Sequence, residues 1–121
     1  MSLKLVVAGQ EVDVKYSKFP AGETYVCIQG EPNLFNGRSR AMIEMKFEGN
    51  DDLFNLALLA NALRSNYYVG GIALDLTYMP YARQDRVCAF GESLSVRVVA
   101  DFINSLNFEY VLVTDCHSSV G

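Results

Sequence analysis

"NDDLFNLALLANALRSN" (residues 50–66) running into "VGGIALDLTYMP" (69–80) decides the fold of this chain. In the first stretch Leu53, Leu56, Ala57, Ala60 and Leu63 recur at the spacing of one helix face. Asn50 or Asp51 stands where an N-cap belongs, Asp51 and Asp52 sit at the positive end of the helix, and Arg64 suits the negative one. The second stretch is an apolar strand closed by Pro80, which has no ladder donor and disfavours helix in the residue before it. The same pair then recurs. "ESLSVRVVADFINSLN" (92–107) has Ser93 or Ser95 as its N-cap, Leu94, Val98 and Phe102 with Val99 and Leu106 as its apolar face, and Asn107 at its end. It leads into "EYVLVTDCH", whose apolar strand covers residues 110–114. Helix and strand alternating in this way predict an α/β fold, a parallel sheet with flanking helices.

Upstream of this unit the period changes from helical to two. "LKLVVA" (3–8) is a β-branched run closed by Gly9, and "EVDVKY" (11–16) alternates Val12 and Val14 with charged neighbours as one half-exposed strand. "FPAGE" (19–23) has the proline and glycine of a turn, and "TYVCIQG" (24–30) resumes a strand. After the loop "EPNLFNGRS", the strand in "RAMIEMKFEG" (40–49) puts Ala41, Ile43, Met45 and Phe47 on an apolar side, and Met42, Glu44 and Lys46 on a mixed one. The N-terminal section is therefore hairpin-like, and no repeat or linker interrupts the chain.

At 121 residues the length suits a single domain, and 10 basic against 14 acidic residues give a net charge of −4. That balance excludes a general attraction to nucleic acid or an anionic membrane, so an anion site must be built locally. Cys27, Cys88 and Cys116 are too scattered for paired zinc spacing and too few for a disulfide scaffold. They read as free thiols of a cytoplasmic protein. The N-terminus has neither the charge pattern of a signal peptide nor the length of a membrane span.

Ligands of open α/β sheets bind beyond the C-terminal ends of the strands, and two polar clusters fall there: "YARQDR" (81–86) and "TDCHSS" (114–119). Right-handed crossovers between neighbouring parallel strands open both clusters on one sheet edge, which brings Arg83 and His117 within reach of one ligand. An arginine fork suits phosphate oxygens, and a histidine beside a carboxylate suits a metal bridging them. Local composition leaves other readings open. Arg83 and Asp85 are equally consistent with a surface ion pair, His117 with a solvated histidine, and "FPAGE" with a plain turn. No P-loop pattern of glycines before lysine and serine or threonine occurs.

Taken in order, "NDDLFNLALLANALR", "YMPYARQDR", "SLSVRVVADFINS" and "VLVTDCH" resemble the N-terminal half of ribose-phosphate pyrophosphokinases, also called phosphoribosyl pyrophosphate synthetases. The likeness runs from "LVVAG" through "FPAGE" to "TDCHSSVG". It implies a phosphoribosyltransferase-like parallel-sheet sandwich and an enzyme that moves the diphosphoryl group of magnesium ATP to ribose 5-phosphate, leaving phosphoribosyl pyrophosphate and AMP. By the same resemblance Arg83 and Gln84 contact ATP, Asp85 and Arg86 support their loop, and His117 binds Mg2+ with Asp115 close by. Phe19 and Glu23 match a turn that contacts adenine in a neighbouring subunit, which implies a homo-oligomer. Ala21 departs from that turn's carboxylate and puts base discrimination in doubt. Residues 1–121 then form a single N-terminal ATP-binding domain; the ribose-phosphate-binding domain and the mobile basic loop are absent, and the chain alone is expected to be inactive. The alternatives are a non-catalytic associated protein that joins or regulates catalytic subunits, and a stand-alone nucleotide-binding domain.

Overall fold

Ala8 and Gly9 take left-handed backbone, φ 52° and 80°, and fold β1 (Leu3–Val7) tightly back on β2 (Gln10–Val12). The computed structural model describes residues 2–35, 39–83, 85–87 and 89–114. The alternation over 11–16 belongs to two strands, because the Asp13 carbonyl accepts the Gln29 N–H at 2.9 Å and the chain there leaves one sheet for another. β3 (Val14–Lys18) and β4 (Thr24–Ile28) form a separate antiparallel hairpin around the "FPAGE" turn.

β5 (Arg40–Met45), α1 (Asp51–Asn66), β6 (Gly71–Leu76), α2 (Ser95–Ser105) and β7 (Val111–Val113) follow in chain order. The main sheet runs β2-β1-β5-β6-β7, antiparallel at β2-β1 and β1-β5, then parallel from β5 to β7. Its register aligns Leu5 with Ile43 and Ile43 with Leu74, and all three are fully buried. Leu3, Val7, Ala41, Met45, Ile72 and Leu76 complete that face, and Leu56, Leu59 and Leu63 of α1 with Val99 and Ile103 of α2 close over it. Both helices share this face, as the right-handed rule for crossovers requires of β5, β6 and β7, which progress in one direction across the sheet. Glu44 on the opposite face is exposed and Met42 half-buried, as the alternation predicts.

The helix limits and faces differ in detail from the sequence reading. α1 buries Leu59 in addition to Leu56, Ala60 and Leu63, while Leu53 and Ala57 are half-buried. The hairpin packs against α1 beside the sheet, so a wider arc of the helix is covered than one stripe requires. In α2 the buried residues are Val99 and Ile103; Leu94 and Phe102 are half-buried, and Val98 is 62% exposed. Two adjacent apolar rows run along this helix, and seating against the sheet selects the row that periodicity alone does not single out. Leu94 takes the N-cap position with no side-chain cap bond, and Ser93 and Ser95 bond each other at 2.9 Å. Asn107 does end the helix, with left-handed φ of 57°, and its carbonyl accepts Arg64 Nη2 at 2.9 Å.

β7 is shorter and more exposed than its sequence suggests. It forms one border of the main sheet, and Val111, Leu112 and Val113 are 37–48% exposed. Tyr16, on the hairpin, has a hydroxyl with no partner among the described residues; burial and then the nearby Asp52 carboxylate push its pKa up to about 12, so the phenol stays neutral. Among the described residues no helix is long and apolar enough to cross a membrane.

Candidate functional site

The C-terminal ends of β5, β6 and β7 lie along one sheet edge. The Thr77 N–H donates to the Met45 carbonyl at 3.0 Å, and the Thr114 N–H donates to the Leu76 carbonyl at 2.8 Å. Thr77 and Thr114, the first residues beyond β6 and β7, therefore follow strand ends that lie side by side. Thr114 also donates its hydroxyl to Asp75 Oδ1 at 2.8 Å, which fixes the chain as it leaves β7.

Asp52 organises the first of these loops. It is 8% exposed, although it stands in the first turn of α1. Its Oδ2 accepts the backbone N–H of Glu48 at 2.7 Å and of Gly49 at 3.2 Å, and its Oδ1 accepts the Ser2 hydroxyl. These donors compensate the carboxylate for its burial and tie the start of β1 to the entry of the helix. Sequence reading saw in Asp52 only a charge suited to the helix dipole. The partner fifty positions away leaves no local signal.

The loop after β6 is laid across the loop after β5. Tyr78 donates its hydroxyl to the Phe47 carbonyl at 2.7 Å, and the Tyr81 hydroxyl donates to Asn50 Oδ1. The rings of Phe47 and Tyr81 meet with centroids 5.9 Å apart. The Ala82 N–H closes a turn onto Met79 O at 3.3 Å, with Pro80 buried inside it. Arg83 then follows on an anchored turn beyond the end of β6 and is exposed. Asp85 and Arg86 are also exposed and approach each other to 3.7 Å, an ion pair of little energetic value at that exposure. Gln84, Asp115, His117, Cys88 and Cys116 lie outside the described residues.

The "FPAGE" turn is closed by Phe19 N–H to Glu23 O and Gly22 N–H to Phe19 O, both at 2.8 Å. Gly22 adopts φ of 94°, where a side chain is disfavoured. Phe19 is 52% exposed and stacks edge-on against Tyr25 with centroids 5.8 Å apart, and Glu23 is exposed. Lys18, next to Phe19, pairs with Asp51 at the head of α1. The head of α1 is thus gripped from the hairpin side at Asp51 and from the Arg83 side at Asn50. A groove of about 330 Å³, lined by Ser2, Lys4, Glu44, Met45, Lys46 and Thr77, opens beside the same edge on the face away from the helices. Among the described residues no group of three or more His, Cys, Asp or Glu side chains forms a metal cage.

Residues 5–106 match the family model for the N-terminal domain of ribose phosphate pyrophosphokinase. The chain belongs to the ribose-phosphate pyrophosphokinase family. A ribose-phosphate pyrophosphokinase of Pyrococcus furiosus is 35% identical over 107 residues, covering 88% of this chain and 36% of that protein. The corresponding protein of Thermococcus kodakarensis is 33% identical over 113 residues, covering 92% of this chain and 38% of its own. The chain therefore spans little more than a third of the length of these pyrophosphokinases. A phosphoribosylpyrophosphate synthetase of Mycobacterium smegmatis superposes with a TM-score of 0.70 at 23% identity, over 88% of this chain and 35% of that one. At that identity the likeness shows the α/β fold shared with a pyrophosphokinase relative.

Proposed function

We propose that this chain is the ATP-binding half of a ribose-phosphate pyrophosphokinase. The complete reaction moves the β,γ-diphosphoryl group of ATP to the 1-hydroxyl of ribose 5-phosphate and releases AMP. The observation that carries the reading is the place of Arg83: a guanidinium on an anchored turn, beyond the C-terminal ends of parallel strands, in a chain that matches the pyrophosphokinase N-terminal domain. Its planar fork of donors takes two phosphate oxygens at once, and Gln84 adds an amide donor to the same loop. Asp85 and Arg86 follow in the same exposed loop, where they are assigned a supporting part. Phe19 offers a half-exposed ring and Glu23 an exposed carboxylate in the turn that would contact the base bound by a neighbouring subunit.

Asp115 and His117 supply one carboxylate and one imidazole directly after Thr114. That donor set fits Mg2+ if water and phosphate oxygens complete the octahedron, the ordinary arrangement at nucleotide sites. When bound, the ion would neutralise phosphate charge and hold the diphosphoryl group in line. The part of the reaction performed by the residues of this chain is to bind and orient ATP. Seating ribose 5-phosphate and excluding water from the transferring group belong to a second domain. A cytoplasmic setting and assembly into homo-oligomers through the Phe19 turn accompany this reading.

The test separates binding from turnover. Purified chain with magnesium ATP and ribose 5-phosphate is expected to bind ATP in a calorimeter and to form no phosphoribosyl pyrophosphate or AMP. Heat of binding without product supports the half-site reading; product formation overturns it, and so does the absence of any binding heat.

A further inference from the structure

Tyr81 and Asn50 both depart from their ordinary conformations, and they do so toward each other. Tyr81 is a non-glycine residue in left-handed backbone, φ 64°, a conformation that large side chains rarely adopt and that surrounding contacts must hold in place. Asn50 occupies the N-cap of α1, yet it has φ of −62° and ψ of −26° and makes no side-chain cap bond. An asparagine at this position ordinarily turns its Oδ1 back onto the first-turn N–H groups. Here Oδ1 accepts the Tyr81 hydroxyl instead, and the helix entry is closed by backbone bonds from Asp52 to Gly49 O at 3.0 Å and from Leu53 to Asn50 O at 3.1 Å. The Tyr81 ring lies against Phe47 on the same loop.

We propose that Tyr81 is a positioning residue for the nucleotide site: its hydroxyl, held by Asn50 at the head of α1, fixes the turn from which Arg83 reaches phosphate. This rests on the assignment of Arg83 to ATP made above. Only Ala82 separates Tyr81 from Arg83, so a left-handed Tyr81 sets the direction in which the following backbone leaves the strand end. Releasing the hydroxyl lets this turn sample right-handed backbone and carries Arg83 away from the edge. The cost then appears in affinity, because the ligand must select the competent loop from a wider ensemble.

Magnesium ATP affinity is measured by calorimetry for wild type, Tyr81→Phe, Asn50→Ala, the double variant and Arg83→Ala, with thermal midpoints for each. Tyr81→Phe keeps the ring on Phe47, and Asn50→Ala removes no cap bond, so both are expected to fold with midpoints near wild type. Each is expected to weaken ATP roughly fivefold, the scale of one lost hydrogen bond, and the double variant is expected to bind no more weakly than either single one. Wild-type affinity in Tyr81→Phe or Asn50→Ala, while Arg83→Ala is weakened, overturns the positioning role and leaves the site reading intact. Lowered midpoints with unchanged affinity give Tyr81 a purely structural part and overturn it as well. Wild-type affinity in Arg83→Ala removes the site reading and this inference with it.

Discussion

Asp52→Ala is expected to lower folding stability by roughly 2–4 kcal/mol, since it leaves two backbone N–H groups and a hydroxyl without their acceptor at a partly buried loop. The lost partners are the N–H groups of Glu48 and Gly49 and the Ser2 hydroxyl. Asp52 also joins elements distant in sequence, the start of β1 and the entry of α1. Its loss acts on the main sheet at one end and on the β5–α1 loop at the other. Asp52→Asn retains one acceptor oxygen and is expected to lose about half as much. Urea unfolding measures both; a midpoint for the alanine variant within error of wild type contradicts the role given to this carboxylate. Exposed substitutions on the far side of α1, such as Asn61→Ala, are expected to change stability by no more than about 0.5 kcal/mol.

Arg83→Ala is expected to weaken magnesium ATP binding by about tenfold to a hundredfold, the range for hydrogen bonds to a charged group. Folding stability is expected to change little, because Arg83 is exposed and lies outside the hydrophobic core. Arg83→Lys keeps the charge and loses the planar fork, and its affinity should fall between the two. That ordering distinguishes a bidentate phosphate contact from general electrostatic attraction: an arginine acting only as a charge gives a lysine variant equal to wild type. Equal affinity in wild type and alanine variant removes Arg83 from the site.

The sequence reading succeeded where a period and a stop signal coincide. The alternation of β5 separates buried Ala41, Ile43 and Met45 from exposed Glu44, and the order helix, strand, helix, strand is observed as α1, β6, α2 and β7. The placement of "YARQDR" beyond a strand end followed from Pro80 and from the handedness of crossovers, although the last ladder residue is Leu76. Failures came where the deciding contact is remote. Asp13 looks like one member of an alternating strand until Gln29 takes its carbonyl. Val98 and Val99 are chemically alike, and only the sheet beneath decides which is buried. The strand expected over residues 110–114 is observed over Val111–Val113 and is exposed, because apolar character does not state whether a strand is central or peripheral. At the proposed site, Arg83 was singled out through its motif, but the groups that hold its turn, Asn50, Phe47 and Tyr78, were not. Their bonds span some thirty positions and involve residue types common in any loop.

The nucleotide site proposed here rests on the family likeness, with the sheet edge as its expected place. An amide-resolved NMR titration of the isotope-labelled chain with magnesium ATP tests that place most directly. The account predicts that the largest shift changes fall on residues 77–83 and 85–87, on Asn50 and Asp51, and on Thr114, which follow the ends of β5, β6 and β7. Shift changes confined to the groove between β4 and α1, around Cys27 and Tyr67, or the absence of any change at saturating nucleotide, would contradict it.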